Sequence, residues 1–330
     1  MLKKILLIRF SSIGDIVLTT PVIRAIKQQT SYELHVLTKN QYANIYQANP
    51  NVDKVYSFKK SISECLKELK DEKFYAVVDL QKNMRSHNVK KQLKIRNSSF
   101  LKLNIEKWLL VNLKINKLPD LHIVDRYFEA VKFLSVTNDG LGLEYYIPQN
   151  DEVNPEDIDN GLKFGYIGFV IGGQHNTKIL PSEKAAEIIS KLKKPVVLLG
   201  GPDDKQRGNE IVRLSPNLKV INTCGDFNIN QSASLVKNAD VIITNDTGLM
   251  HIAAAFSKAI VSIWGNTVPD FGMYPYMPQH KSNYFIAEVA NLSCRPCSKI
   301  GYKKCPKNHF KCMINQNIDA IVDAVNSYLE

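Results

Sequence analysis

The chain has 330 residues, 44% of them hydrophobic and 23% charged, and a net charge of +11. That length favours two domains over one, the composition suits a chain that buries a real core, and no run approaches the ~18 apolar residues that a membrane span requires. The charge is lopsided: residues 1–150 carry 24 Lys and Arg against 14 Asp and Glu, residues 151–330 carry 19 against 18, and residues 82–117 hold ten basic side chains and one acid, Glu106.

The opening MLKKILLIRFSSIGD has the look of a signal peptide. Its apolar run stops at Arg9 and no small-residue cleavage site follows, so it reads as a first strand over residues 3–9. A helix is predicted over 16–28, with Val17, Val22, Ile23 and Ile26 on its apolar side, then strands over 33–38 and 76–80 and a helix over 61–70. The stretch PQNDEVNPEDIDN, residues 148–160, is polar and acidic with two prolines and is the best linker candidate. The alternation then restarts, with strands over 166–171, 195–199, 241–244 and 259–264 and helices over 182–192, 203–214, 248–256 and 318–329. Strands alternating with amphipathic helices predict an α/β architecture with parallel sheets. No repeat and no low-complexity tract is present.

The basic stretch 82–117 is matched to an anionic partner: nucleic acid, a phosphorylated glycolipid or a membrane surface. Its plain alternative is a solvated helical face. A nucleic-acid surface would need exposed aromatics for stacking. The stretch offers Phe100 and Trp108, and Trp108 to Val111 reads as helix core, so no nucleic acid is expected.

Strand-to-helix turns carry the chemistry, because ligands of such folds bind at the carboxyl edge of the sheet. In FSSIGD, the small residues Ser11, Ser12 and Gly14 allow a tight turn and close approach. Asp15 is then a general base for an attacking hydroxyl or a plain helix-start carboxylate. GxGxxG is absent, so this is no dinucleotide fingerprint. In TNDTGLMHIAAA, residues 244–255, Thr247 and Gly248 open a helix whose free N–H groups suit a phosphate. His251, one turn in, is within reach of a phosphate oxygen or packs in the core. Asp246 is awkward beside an anion and reads as a helix cap. In GGQHNTKILP, residues 172–181, Lys178 is placed to neutralise a leaving diphosphate or is a surface lysine. In LLGGPDD, Gly200 and Gly201 precede Asp203 and Asp204, where a carboxylate binds ribose hydroxyls or caps the next helix.

Four of six cysteines fall in a late cluster, Cys294, Cys297, Cys305 and Cys312, spaced C-x2-C-x7-C-x6-C with His309 nearby. The spacing permits a structural zinc site. Disulfides or free thiols are the alternatives, the former disfavoured without a secretion signal.

Taken in order, these blocks resemble the heptosyltransferase family, glycosyltransferase family 9. The resemblance runs through IRFSSIGDIVLTTPVIRAIK, VDLQKNMRS, GGQHNTKILP, LLGGPDD, TNDTGLMHIAAA, GNTVPDFGMYPY and the CRPC tail, and so covers essentially the whole chain. One departure is Ile179-Leu180 before Pro181, where the family commonly has an aromatic.

The resemblance implies a GT-B fold, two Rossmann-like domains facing across a cleft. The acceptor half would be 1–155, with Ser11, Ser12, Gly14, Lys82 and Arg85 at the acceptor. The nucleotide-sugar half would be 156–330, with the last helix packing back on the first domain. It implies an inverting transfer with no catalytic metal, Asp15 as base, and Lys178, Asp246, Thr247, Gly248, Leu249, His251, Gly200, Gly201 and Asp203 at the donor. The implied reaction moves heptose from ADP-heptose to the inner core of lipopolysaccharide. The same machinery with another nucleotide-sugar, such as UDP-N-acetylglucosamine, is the near alternative. A non-enzymatic binder of anionic polymers is the distant one. A cytoplasmic protein, peripheral at the inner face of the inner membrane, is expected, because lysines near an anionic lipid surface contribute ~1 kcal/mol each.

Overall fold

The computed structural model describes residues 3–216 and 218–330, and their strands fall into two sheets in which every pair is parallel. The first sheet contains β1 (Lys4–Ile8), β2 (Glu33–Lys39), β3 (Lys54–Phe58), β4 (Ala76–Asp79) and β5 (Arg96–Ser99), in the order β3-β2-β1-β4-β5. The second contains β6 (Ile167–Val170), β7 (Val196–Leu199), β8 (Val220–Asn222), β9 (Val241–Asn245), β10 (Ala259–Trp264) and β11 (Tyr284–Glu288), in the order β11-β10-β9-β6-β7-β8. Among the described residues no helix is long and apolar enough to cross a membrane.

Each sheet starts in its middle, builds to one side and then returns to build the other. The reversal lies between β1 and β4 in the first sheet and between β6 and β9 in the second. At such a point the two flanking connections leave in opposite directions and open a crevice at the carboxyl ends of the strands, where doubly wound folds bind ligands. Four loops are therefore singled out: those after β1, β4, β6 and β9.

Successive side chains of a strand point to opposite faces, so a strand covered on both faces is apolar along most of its length. In the second sheet Ile167, Phe169, Val241, Ile243, Val261 and Ile263 share one core with residues of the helices Ser182–Ser190, Lys205–Leu214 and Ile318–Ser327. In the first, Leu6, Ile8, Leu37 and Val77 share a core with Leu69 and Val89 of the helices Leu66–Asp71 and Met84–Leu93. Burying one such side chain contributes about 1.5–3 kcal/mol.

The chain divides into two compact units, residues 1–103 with 121–146, and residues 104–120 with 147–330. This differs from a cut at 155/156 in two ways. Residues 148–160 are no free linker: the Nδ2 atoms of Asn228 and Asn230 both donate to Asp151, the Val153 N–H donates to Ser234 Oγ, and Lys237 pairs with Glu152. The segment 104–120 goes with the second unit because Leu110 of the helix Asn104–Leu113 packs with Val268 and Phe271. Trp108, read as core from the sequence, is 51% exposed. The last helix, Ile318–Ser327, buries its apolar face against the helix Ser182–Ser190 and strands β10 and β11 of its own unit.

The helix expected over 16–28 is two, Ile13–Val17 and Thr20–Gln29. Pro21 has no N–H to continue the ladder, and the hydroxyls of Thr19 and Thr20 take the carbonyls of Ile16 and Val17 at 2.6 and 2.8 Å.

Candidate functional site

In the first unit the loop after β1 turns directly into the helix Ile13–Val17, and Asp15 sits in its first turn. The carboxylate is anchored on both oxygens. Arg9 Nη2 lies 2.6 Å from Oδ1, while the Ser12 N–H and hydroxyl donate to Oδ2 at 3.2 and 2.9 Å. Asp15 keeps part of its surface open, and Arg9 is buried. The Arg9 guanidinium also donates to the carbonyls of Ser11 and Leu80 and to the Tyr127 hydroxyl, at 2.8, 2.5 and 3.1 Å. Burial by itself would lower the Arg9 pKa; Asp15, Tyr127 and Tyr46 together outweigh it and the pKa rises, so the guanidinium stays charged. Arg9 thus spans the loops after β1 and β4, the two that flank the reversal of the sheet.

Sequence reasoning used Arg9 only as the end of a strand. The signal it missed was an arginine placed where a fully buried strand leaves the sheet, which has to find a carboxylate and carbonyls or be expelled. A second cation, Lys102, is half-buried; burial lowers its pKa, Arg9 lowers it further, and Asp79 and Asp15 oppose.

The residues expected at the acceptor divide. Ser11 and Ser12 shape the Asp15 turn and Gly14 is buried in it. Lys82 is committed to the fold: its N–H donates to Asp79 Oδ1 at 2.7 Å and its ammonium to the Phe100 carbonyl at 2.9 Å. Arg85 is exposed on the helix Met84–Leu93. The wider basic stretch is also partly spent inside the fold, for Lys90 neutralises the buried Asp79 at 2.9 Å and Arg96 lies over the Phe133 ring.

In the second unit the loops after β6 and β9 are joined by Lys178 and Asp246, with Nζ 2.5 Å from Oδ2. Thr267, in the loop after β10, donates its hydroxyl to the same oxygen at 2.9 Å. Asp246 therefore holds Lys178 and Thr267, a correction to its reading as a helix cap. Behind them Asn245, fully buried, donates to the carbonyls of Val170 and Gly172 and accepts from the Leu180 N–H, each at 3.3 Å. It stitches the two loops together and was not singled out from the sequence. Thr247 is extended and precedes the helix Gly248–Ala255, whose first residues Gly248 and Leu249 are half-buried. His251 is buried within that helix.

Gly200 and Gly201 leave room for Asp204. A Cβ on Gly200 would stand 2.8 Å from the Asp204 Cβ, and the Gly201 N–H donates to Asp204 Oδ2 at 3.0 Å. Arg207 pairs with the other oxygen at 2.7 Å, so Asp204 is held inward while Asp203 is exposed in the turn Pro202–Asp204.

All six cysteines are free thiols. Cys294 Sγ lies 3.7 Å from His309 Nε2. Burial pushes the thiols of Cys297 and Cys312 up to about 11 and about 12, and neighbouring cysteines add to both. Among the described residues no group of three or more His, Cys, Asp or Glu side chains is set to hold a metal ion. The four cysteines spaced for zinc thus do not form a ligand set as they stand. What the segment does in the fold is brace the site. Arg295 donates to the carbonyls of Gly265 and Thr267 at 2.5 and 2.9 Å, the Cys297 N–H donates to the Asn266 carbonyl at 3.1 Å, and the Tyr302 N–H donates to the Thr177 hydroxyl at 2.8 Å.

The profile described as "Glycosyltransferase family 9 (heptosyltransferase)" matches residues 62–307, well over half of the chain. The chain belongs to glycosyltransferase family 9. Lipopolysaccharide heptosyltransferase 1 of Campylobacter coli is 26% identical over 296 residues, covering 80% of this chain and 84% of that one. Lipopolysaccharide heptosyltransferase 2 of Escherichia coli K12 is 34% identical over 112 residues, 32% of each. The glycosyl transferase family 9 structure from Veillonella parvula superposes with a TM-score of 0.78 at 21% identity, over 99% of this chain and 97% of that one. The E. coli ADP-heptose lps heptosyltransferase II structure gives 0.69 at 19% identity, over 99% and 98%. The fold is that of these glycosyltransferases, the GT-B class expected from the motifs.

Proposed function

We propose that this family 9 enzyme transfers heptose from ADP-heptose to the inner core of a lipopolysaccharide, with inversion at the anomeric carbon. The observation that carries the reading is the placement of a carboxylate anchored for base work and a lysine suited to a diphosphate, each beside a reversal point of its own sheet. Relatives similar over most of their length support it: one is a lipopolysaccharide heptosyltransferase and another a lipooligosaccharide heptosyltransferase.

Asp15 takes the proton of the attacking acceptor hydroxyl as the new glycosidic bond forms. Arg9 and Ser12 hold its oxygens so that the carboxylate does not swing. Inversion needs a single displacement and hence one base. The bond to ADP breaks as negative charge builds on the leaving diphosphate, and that charge meets Lys178 and the free N–H groups that open the helix Gly248–Ala255. Asp246 and Thr267 set the lysine. Asp203, exposed beside Gly201, receives the ribose hydroxyls. Arg85 is the acceptor-side cation left exposed, whereas Lys82 acts through the loop it supports.

The acceptor is an anionic glycolipid, so the enzyme works peripherally at the cytoplasmic face of the inner membrane. No step uses a zinc ion on the clustered thiols, and elemental analysis of the purified protein reads whether one is there.

The test is a panel of nucleotide-sugars with a Kdo–lipid A acceptor, scored by the nucleotide released. ADP release from ADP-heptose is expected. UDP release from UDP-N-acetylglucosamine would move the assignment to another sugar with the same machinery. Asp15→Asn is expected to lose transfer by about 10²–10⁴-fold and to keep donor binding; transfer at the wild-type rate would remove the base.

A further inference from the structure

The second unit carries a surface that the transfer chemistry leaves unused. On the helix Asn104–Leu113, Ile105 and Trp108 are three residues apart and so share a side. They are 73% and 51% exposed, while Leu110 packs inward with Val268 and Phe271. The chain leaving this helix is pinned. Lys114 Nζ donates to the carbonyls of Pro296 and Cys294 at 2.6 and 3.2 Å, and Asn116 Nδ2 to Asp270 at 2.7 Å. The helix therefore lies beside the cysteine segment.

That segment is unlike the rest of the unit. No acid occurs between Glu288 and Asp319, whereas Arg295 and five lysines do. Arg295 is consumed by Glu288, but Lys299, Lys303, Lys304, Lys307 and Lys311 are all exposed, and Ile300 among them is 63% exposed. Two copies of so positive a face repel each other, which argues against self-association. An exposed amphipathic tryptophan with Ile105 on the same side, and exposed lysines with Ile300 on the segment to which the chain after the helix is tied, match the boundary of an anionic bilayer, where rings sit at headgroup level and lysines meet phosphates.

We infer that the Ile105–Trp108 side of the helix Asn104–Leu113, together with the lysine-rich segment 299–311, is the surface by which the enzyme docks on an anionic lipid bilayer. This rests on the reading above that the acceptor is anchored in lipid, and it names the face that meets that lipid. Trp108 and Ile105 enter the headgroup region and the lysines hold the protein there.

The tryptophans make the test direct. The chain has two, and Trp264 is fully buried, so a change in the polarity around tryptophan on lipid binding reports Trp108. The full-length protein is mixed with phosphatidylglycerol–phosphatidylethanolamine vesicles or with phosphatidylcholine vesicles. Co-sedimentation and a blue shift of tryptophan emission are expected with the former only, both reversed by salt. Lys303→Glu with Lys304→Glu and Lys307→Glu should weaken binding by on the order of 100-fold. Trp108→Phe should abolish the shift.

Equal binding to phosphatidylcholine, wild-type binding by the triple variant, a bound state with unshifted emission, or concentration-dependent self-association through Trp108 would each overturn the docking face. So would displacement from the vesicles by a single-stranded RNA oligonucleotide. Heptose transfer to a delipidated core oligosaccharide separates the two readings. The triple variant should match the wild type there, and a wild type that binds vesicles but transfers nothing would fail the function while leaving the docking face standing.

Discussion

The Lys178 ammonium and the Asp246 carboxylate meet at 2.5 Å, joining the two loops on either side of the reversal in the second sheet. Both side chains are largely buried, so the pair is not screened as a surface salt bridge is. An anion arriving at Lys178 must share that ammonium with Asp246. The carboxylate keeps the lysine in place and moderates its charge.

Residues that act as such a unit respond non-additively. Lys178→Met should weaken donor binding and slow transfer by about 10²–10³-fold, the scale for losing one stabiliser of developing charge. Asp246→Asn should cost less, because the ammonium remains. The double variant should fall short of the summed effects by about 1–3 kcal/mol. Donor dissociation constants for the four proteins check this, and strict additivity would show that the pair does not act as one element.

In the proposed mechanism Arg9 positions Asp15, which it holds at 2.6 Å. Arg9→Met removes the cation and leaves the carbonyls of Ser11 and Leu80 short of a donor. Stability should drop by about 2–3 kcal/mol, and kcat by roughly 10²-fold, since a displaced base loses its attack geometry. KM for the donor should hold, because Arg9 and the donor-side residues belong to different sheets. Arg9→Lys should recover part of kcat. A loss confined to donor KM would rule out the positioning role.

Gly172 admits no side chain. A Cβ there would stand 2.3 Å from Asp204 Oδ2, and that carboxylate is fixed by the Gly201 N–H and Arg207. Gly172→Ala should destabilise the protein by about 1–3 kcal/mol. Adding Asp204→Ala should relieve the clash, so the double variant costs less than the sum of the singles in urea melts.

The Arg24–Asp139 pair sets an acid-dependent part of the stability. Hydrogen bonding to Arg24, at 2.7 and 2.8 Å, holds the Asp139 carboxyl below the usual carboxylate range although burial opposes it. A depressed carboxyl stabilises the fold above its unfolded pKa of about 3.9, and that contribution is lost as pH falls through the lower folded value. Asp139→Asn should therefore be about 2 kcal/mol less stable than wild type at neutral pH, with the gap closing under acid. An equal gap in urea melts at neutral pH and in acid would sink the assignment.

The order of residues along the chain by itself determined the candidate site loops. Asp15, Lys178, Asp246 and the paired glycines each follow a predicted strand, and each lies at the carboxyl end of that strand. The seven strands read from apolar runs, β1, β2, β4, β6, β7, β9 and β10, are the interior strands of the two sheets. The four not read, β3, β5, β8 and β11, are the edges. An interior strand is walled by backbone and side chains on every side, so its sequence is mostly apolar and its few polar residues, such as Asp79 and Asn245, must be paired inside the fold. An edge strand such as Arg96–Ser99 gains its order from one neighbour's hydrogen bonds and carries no pattern of its own.

Tertiary structure alone decided which loops are neighbours and which charges are spent. Strand order is set by ladders between residues far apart in the chain, and no local period records it. It is the sheets that bring Arg9 to Leu80 and Tyr127, and Asp246 to Lys178. The same step takes Lys82 and Lys90 out of the basic stretch, because a charge that enters a fold must be paired there, and the partner is chosen by topology.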